Sequence, residues 1–290
     1  MVTTVGGESN TRRFCWEQVL RTNRAFRISQ VFAPAEQAGQ LLALYALLGA
    51  VEETCSAYSD EEVARRKLHW WRTECRRLDA DGGDHPITRE LWRTGASRRL
   101  RRDSLAQLFD DAESRLDATA PADLDELREL CLSLCKPQVE LELSLWDEAQ
   151  PAGPFIDTLG AASGLAQILR ETTRRESSDR YWWLPLSLLA RHGVNRSSID
   201  EHAKAESVQA LFTELLDHCG GWNTTEAAAS PASAHALPAT RHLFVIGQLQ
   251  ANALLRLRAS RHHCFAAELN RVGLPQLYQA WKTARGFNRP

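Results

Sequence analysis

The sequence predicts an all-α protein, and three features lead to that prediction. Apolar side chains recur with the three- and four-residue spacing of a helix in one segment after another. No segment shows the alternation of apolar and polar residues that is typical of a half-buried strand. Stretches containing proline or glycine separate the helical segments, as expected at helix boundaries.

The first helices follow a polar N-terminus. Residues 1–13 are polar and contain glycine, so we expect a flexible tail there. An apolar face beginning at Trp16 predicts a helix to about Arg27. Pro34 marks the start of the next helix, 35–55, because proline is favoured in the first turn.

Capping residues and prolines delimit the middle of the chain. Ser59, followed by three acidic residues, favours a helix to about Leu78, because a side-chain cap and an acidic first turn satisfy the free amides and the helix dipole. Pro86 opens another helix. The predicted helices of this part are 59–78, 86–100, 105–116 and 124–146, the last interrupted near Pro137.

The second half begins with a helix rich in small residues, 155–175, which can pack closely. A short helix is expected to end at Gly193, a residue suited to a left-handed cap. Residues 222–238 have low complexity and predict a loop. The remaining predicted helices are 207–219, 239–261 and 274–285.

Composition restricts the class of protein. An apolar content of 43% can fill a core, so we expect residues 14–290 to form one domain. The 35 basic and 37 acidic residues give a net charge of −2, which argues against nucleic-acid binding. No segment has the apolar length of a membrane span or signal peptide, and seven scattered cysteines do not form a disulfide pattern, so a cytoplasmic protein with reduced thiols is expected.

One helical stripe ends in a carboxylate. Leu41, Leu48 and Glu52 share a face of the predicted helix, so Glu52 continues an apolar stripe. A carboxylate on a buried face needs a cation, a metal or a proton. Glu52 and the adjacent Glu53 could together hold Mg²⁺, although adjacent glutamates are more commonly found on solvated faces.

A second charged cluster lies at the end of helix 155–175. Arg170, Glu171, Arg174 and Arg175 suit either an anion site or a solvated group of ion pairs. Arginine binds phosphate oxygens in a bidentate manner, so a diphosphate is the natural ligand to expect.

Two cysteines offer a further metal-site alternative. Cys131 and Cys135 are four residues apart on a predicted helix. They are either metal ligands or core residues, and their neighbours favour the core.

Five segments occur in the order found in a known family. The sequence resembles the squalene/phytoene synthase family, the head-to-head isoprenyl diphosphate synthases. The matching segments are VFAPAEQAGQLLALYALLGAVEE (31–53), KLHWWRTECRRL (67–78), HPITREL (85–91), QILRE (167–171) and WWLPLSLLARHGV (182–194).

The resemblance implies a fold, ligands and a cofactor. The fold would be an isoprenoid synthase-type helical bundle, in which two Asp-rich helices face each other across a mostly apolar central cavity. Mg²⁺ held by these helices would bind the diphosphates of two prenyl donors such as farnesyl or geranylgeranyl diphosphate. The metal neutralises the leaving group while a dry pocket protects the carbocation. Apolar substrates also favour peripheral membrane contact, although no strongly basic amphipathic helix supports it.

The resemblance assigns roles to residues of the two motifs. Residues 52–56 correspond to the first motif, Asp-Asp-x-x-Asp, with Glu52 and Glu53 at the two leading acidic positions and Ser56 at the last. Glu171 leads the second motif, which closes at Arg175 or, with one residue inserted, at Glu176. The implied catalytic residues are Glu52, Glu53 and Glu171, the implied metal ligands are these three with Glu176, and the implied diphosphate ligands are Arg170, Arg174 and Arg175.

Two functions follow from the resemblance. In the first, the chain is a Mg²⁺-dependent prenyltransferase of isoprenoid biosynthesis that condenses prenyl diphosphates head to head. In the second, it is a non-catalytic member acting as a binding or assembly protein, since the family includes motif-poor members associated with respiratory complex assembly. The loss of acidic ligands at Ser56 and Arg175 reduces the negative charge available to Mg²⁺.

Overall fold

The computed structural model describes residues 5–57, 60–146, 153–172, 183–195, 206–219, 238–259 and 273–286. Within these ranges the regular elements are helices and none is a strand, which confirms the all-α prediction. The α-helices are α1 (Val5–Thr22), α2 (Phe26–Ser29), α3 (Ala38–Ala57), α4 (Glu61–Arg76), α5 (Pro86–Arg93), α6 (Arg102–Ser114), α7 (Leu124–Ser144), α8 (Gly153–Thr172), α9 (Leu186–His192), α10 (Glu206–Cys219), α11 (Pro238–Ala259) and α12 (Leu274–Gly286). Short 3₁₀ helices at 30–32, 35–37, 77–79 and 96–98 connect some of them.

The N-terminal boundary differs from the prediction. Helix α1 begins at Val5, so most of the predicted tail 1–13 is helical. The hydroxyl of Thr11 donates to Oε2 of Glu90 at 2.8 Å, and the ring of Phe14 lies 5.3 Å from that of His85. These contacts with α5 and its cap explain why a polar segment is ordered. The predicted loop 222–238 lies almost wholly outside the described residues.

Two further helix boundaries are corrected. The structure separates the predicted helix 16–27 into α1 and α2. Helix α7 runs from Leu124 through Pro137 to Ser144 without the predicted interruption. A proline inside a helix removes one backbone hydrogen bond, and Cys135 and Val139, two residues before and after Pro137, are buried, which provides packing to offset that loss.

Helix ends follow local capping chemistry. The carboxylate of Asp60 accepts from the amide of Glu62 at 2.9 Å and caps α4. His85 Nδ1 accepts from the amide of Ile87 at 3.2 Å and caps α5, which opens with Pro86 as predicted. Helix α9 ends at Gly193, whose φ of 60° is left-handed, also as predicted.

The chain divides into two compact units. Unit 1 comprises 1–117, 137–150 and 237–243, and unit 2 comprises 118–136, 151–236 and 244–290. That residues 14–290 form a single domain remains a prediction, which this division into two units does not test.

Helix α3 forms the centre of unit 1. Residues 41–51 are buried on every side of the helix, which is more than the single apolar stripe predicted. Helices α1, α4, α5 and α6 pack against it. The sequence places the candidate carboxylates Glu52 and Glu53 immediately after this buried stretch.

Unit 2 contains the helix rich in small residues. A Cβ on Gly164 would lie 2.3 Å from the carbonyl oxygen of Cys131, so α8 approaches the first part of α7 at a distance that only glycine allows. Cys131 and Cys135 are buried at this contact, which confirms them as core residues. Among the described helices of the chain, none is both long and apolar enough to cross a membrane.

Candidate functional site

Glu52 forms a largely buried ion pair. Its Oε2 accepts from Nη1 of Arg115 at 3.0 Å, and the side chains of Glu52 and Arg115 are 18% and 5% exposed. Arg115 follows the last turn of α6, and its Nη2 lies 3.7 Å from the sulfur of Cys55. The prediction that Glu52 requires a partner is therefore confirmed, and that partner is a cation from a helix 63 residues along the chain.

Glu53 has different partners on α1. Its Oε2 accepts from Nη2 of Arg21 and from Nε2 of Gln18, both at 3.0 Å. Arg21 also donates to Oε1 of Gln18. The side chains of Glu53 and Arg21 are 39% and 60% exposed, so water surrounds much of this group.

The two neighbouring glutamates therefore point to different sides of α3. Successive residues of an α-helix are rotated by about 100°, which separates their side chains around the axis. Glu52 lies on the same face as Tyr45, seven residues earlier, whereas Glu53 lies beside Ala50 and Thr54. The structure does not bring Glu52 and Glu53 into one site.

The described carboxylates do not fit a Mg²⁺ site. Mg²⁺ requires several oxygen ligands in octahedral geometry. Each of Glu52 and Glu53 already pairs with an arginine, and no cluster of three or more candidate metal ligands occurs within the described ranges. Glu176, Arg174 and Arg175 lie outside those ranges, as do the side chains of Arg170 and Glu171, so these predictions remain predictions.

Glu53 forms part of the wall of a cleft of about 730 Å³ in unit 1. The cleft combines aromatic, basic and small apolar side chains from α1, α3, α4 and α5, together with the cap of α5. Its lining residues include Phe14, Arg21, Glu53, Arg66, Lys67, Trp70, Trp71 and His85.

His85 is the point of contact for the aromatic side chains. Its ring lies 5.7 Å from that of Trp70 and 4.7 Å from that of Trp71, both in edge-to-face geometry. Burial lowers the pKa of His85, and the charge of Lys67 lowers it further against the opposing effect of Glu74. Because Nδ1 accepts from the amide of Ile87, the neutral ring carries its proton on Nε2.

A buried polar network lies on the Tyr45 face of α3. The hydroxyl of Tyr45 donates to Oε2 of Glu142 at 2.7 Å, and Oε1 of Glu142 lies 2.6 Å from Nδ1 of His242. The Nε2 of His242 lies 2.9 Å from the hydroxyl of Ser29. The order serine, histidine, acid is that of a hydrolytic triad, but Ser29, His242 and Glu142 have no exposed surface, so no substrate can reach them. The network holds its helices together.

Sequence reasoning missed Arg115, Arg21, Glu142 and His242. For Glu142 a signal was present, because Val139, Glu142 and Trp146 follow the same helical spacing that drew attention to Glu52. The arginines carry no comparable signal, since nothing local distinguishes them from surface residues.

The fold and the site can be set beside known proteins. A family model described as squalene/phytoene synthase matches residues 20–277. A dehydrosqualene synthase crystallised with a ligand shares the fold with a TM-score of 0.75 at 16% identity, covering 97% of each chain. A squalene synthase, HpnC from Alicyclobacillus acidocaldarius, has a TM-score of 0.64 at 16% identity over 87% of this chain and 94% of its own. No curated protein matches the sequence.

Proposed function

The chain belongs to the squalene/phytoene synthase family, and from that membership we propose that it binds a prenyl diphosphate without using Glu52 and Glu53 as Mg²⁺ ligands. The observation that carries the proposal is the pairing of both carboxylates with arginines. Solved structures with the same fold include a dehydrosqualene synthase and a squalene synthase, which supports a prenyl diphosphate as the ligand class.

The Glu52 pair is the stronger obstacle to metal binding. Transferring Glu52 to a metal would leave the guanidinium of Arg115 buried without its carboxylate. Removing one partner from a buried pair costs about 3–5 kcal/mol, which the metal would have to supply in addition to its own dehydration. Glu52 therefore serves as the counter-ion of Arg115.

A diphosphate can be held by arginine alone. We assign this role to Arg170, Arg174 and Arg175, because guanidinium groups form paired, charge-assisted hydrogen bonds with phosphate oxygens. Binding of this kind retains the ligand, but without metal the developing charge on the leaving diphosphate is less stabilised. We therefore favour a binding or assembly protein over an enzyme that condenses prenyl diphosphates.

Equilibrium binding with and without metal tests the proposal. Farnesyl and geranylgeranyl diphosphate are titrated into the full chain in Mg²⁺ and in EDTA, and we expect the same Kd in both. The double variant Arg174→Ala/Arg175→Ala should abolish binding. Arg76→Ala, which removes an exposed arginine on α4, is the matched control and should have no effect.

Product analysis tests the alternative function, in which the chain condenses prenyl diphosphates. The same mixtures are extracted for C30 or C40 hydrocarbon and assayed for released diphosphate, and we expect neither. Diphosphate release that requires Mg²⁺ and is lost in Glu52→Gln would refute the proposal and establish the prenyltransferase. Binding that tightens in Mg²⁺ and weakens in Glu52→Gln would refute it as well.

A further inference from the structure

The cleft bounded by α1, α3, α4 and α5 has no role in the function proposed above. We propose that it binds an anionic ligand that carries a planar aromatic ring, of the size of a nucleoside phosphate. Its volume of about 730 Å³ is within the range of small-molecule sites. It lies on the side of α3 that presents Ala50, Glu53 and Thr54, so it is separate from the Glu52 pair.

Trp70 provides a surface on which a planar ring can stack. Its side chain is 43% exposed although it lines the cleft. The neighbouring rings of Trp71 and His85 meet it at 70° and 78°, so within the described residues no ring lies parallel to it. Edge contacts of this kind fix the orientation of the indole and leave stacking available to a ligand.

Arg66 and Lys67 provide positive charge beside that surface. Arg66 precedes Trp70 by one helical turn, which places the two side chains next to each other on α4. Arg66 is exposed, and none of the ion pairs among the described residues involves it. An anionic group attached to a stacked ring would therefore lie within reach of Arg66, and guanidinium groups suit phosphate in particular.

The remaining polar groups of the cleft are donors more than acceptors. Glu53 is the only carboxylate among the described residues that line the cleft, and its charge is offset by Arg21. His85, which also lines the cleft, carries its ring proton on Nε2. A cleft lined by Arg66, which forms no ion pair within the described chain, and by the ring N–H of His85 favours an anion with oxygen acceptors over a neutral or cationic ligand.

Calorimetric titration of the full chain tests both halves of the ligand. The probes are ADP, adenosine, which lacks the charge, and inorganic diphosphate, which lacks the ring. We expect ADP to bind and each of the other two to bind about tenfold more weakly or worse, because stacking and phosphate contacts each contribute a factor of that order.

Matched variants localise the site. Trp70→Ala and Arg66→Ala should each weaken ADP binding by about tenfold. Trp281→Ala removes an indole of similar exposure from unit 2, and Arg76→Ala removes an exposed arginine from the same helix, so neither should change it. Circular dichroism of each variant verifies that the helices are retained.

Three results would overturn the inference. The first is the absence of ADP binding at millimolar concentration. The second is inorganic diphosphate binding as tightly as ADP, which would show that charge alone is recognised. The third is displacement of ADP by farnesyl diphosphate whose own binding is lost in Trp70→Ala. The function proposed above is tested instead by prenyl diphosphate binding in Arg174→Ala/Arg175→Ala. Failure of that proposal can therefore be distinguished from failure of this one.

Discussion

The two sides of α3 place a glutamate in different surroundings. On one side Glu52 pairs with a buried arginine, and Tyr45 reaches a buried network through Glu142. On the other side Glu53 pairs with an exposed arginine at the edge of an open cleft. Adjacent glutamates of one motif therefore have different partners, different burial and different consequences when changed.

Burial determines how much each pair contributes. An exposed ion pair contributes about 0–1 kcal/mol because solvent screens it. Breaking a buried pair is costly because the remaining charge cannot be rehydrated. If this contrast holds, substitutions on the Tyr45–Glu52 side should affect stability, and substitutions on the Glu53 side should affect ligand binding.

The largest effect is expected from Arg115→Met. Methionine keeps much of the side-chain volume but removes the charge, so Glu52, whose side chain is only 18% exposed, is left without its cation. We expect the free energy of unfolding to fall by about 3 kcal/mol, measured by urea denaturation at pH 7. Adding Glu52→Gln to this variant should restore most of the loss. The contrast fails if Arg115→Met costs no more than Glu53→Gln.

Glu74 tests whether burial, and not position on one side of α3, determines how much a carboxylate contributes to stability. It is a buried carboxylate close to the cleft, and its Oε1 accepts from the amide of His85 at 2.7 Å and the hydroxyl of Thr88 at 2.8 Å. Burial alone would raise the pKa of Glu74, but these hydrogen bonds and the charge of Arg77 hold it below the ordinary value of 4.5. We expect Glu74→Gln to cost about 2 kcal/mol at pH 7.

The pH dependence of Glu74 has a definite sign. Because its folded pKa is lowered, the carboxylate stabilises the fold at pH above the unfolded value of 4.5, and the contribution is lost as pH falls through the folded pKa. Urea denaturation from pH 7 downward should therefore show a steeper acid decline in the native chain than in Glu74→Gln. Parallel declines would contradict the assignment.

A smaller effect is expected from Tyr45→Phe. The substitution removes the hydroxyl that donates to Oε2 of Glu142 and leaves the ring in place. We expect a loss of about 1–2 kcal/mol, since Glu142 keeps its contact with His242 but loses a donor in a buried setting. Tyr278→Phe, at an exposed position in unit 2, is the control and should be neutral. Equal unfolding curves for both variants would refute a buried network of this importance.

The fold was largely predictable because its signals are local. Proline at 86 and glycine at 193 delimit helices through their own backbone geometry, and both boundaries agree with the structure. The prediction was wrong where contacts between residues far apart in the sequence determine the local structure. Residues 5–13 are helical and are held in part by the bond of Thr11 to Glu90, 79 residues away, which no local pattern indicates.

The site was predictable only in part. The apolar stripe that ends in Glu52 showed that this carboxylate needs a partner, but it could not identify Arg115, since pairing across 63 residues depends on how α3 and α6 pack. Nor could spacing show that Glu53 faces a separate cleft, because the walls come from α1, α4 and α5 as well as α3. Periodicity reveals which side chains are buried and not what they meet.

The smallest effect on stability is expected from Glu53→Gln. The amide can still accept from Gln18, and the lost ion pair with Arg21 is exposed, so the free energy of unfolding should change by less than about 1 kcal/mol. The same change removes the only carboxylate among the described lining residues and leaves the charge of Arg21 available to an anion. Calorimetry should therefore show tighter ADP binding in Glu53→Gln, with the gain diminishing at high salt because added ions screen exposed charges. If Glu53→Gln lowered the free energy of unfolding and left the affinity for ADP unchanged, the contrast between the two sides of α3 would be refuted.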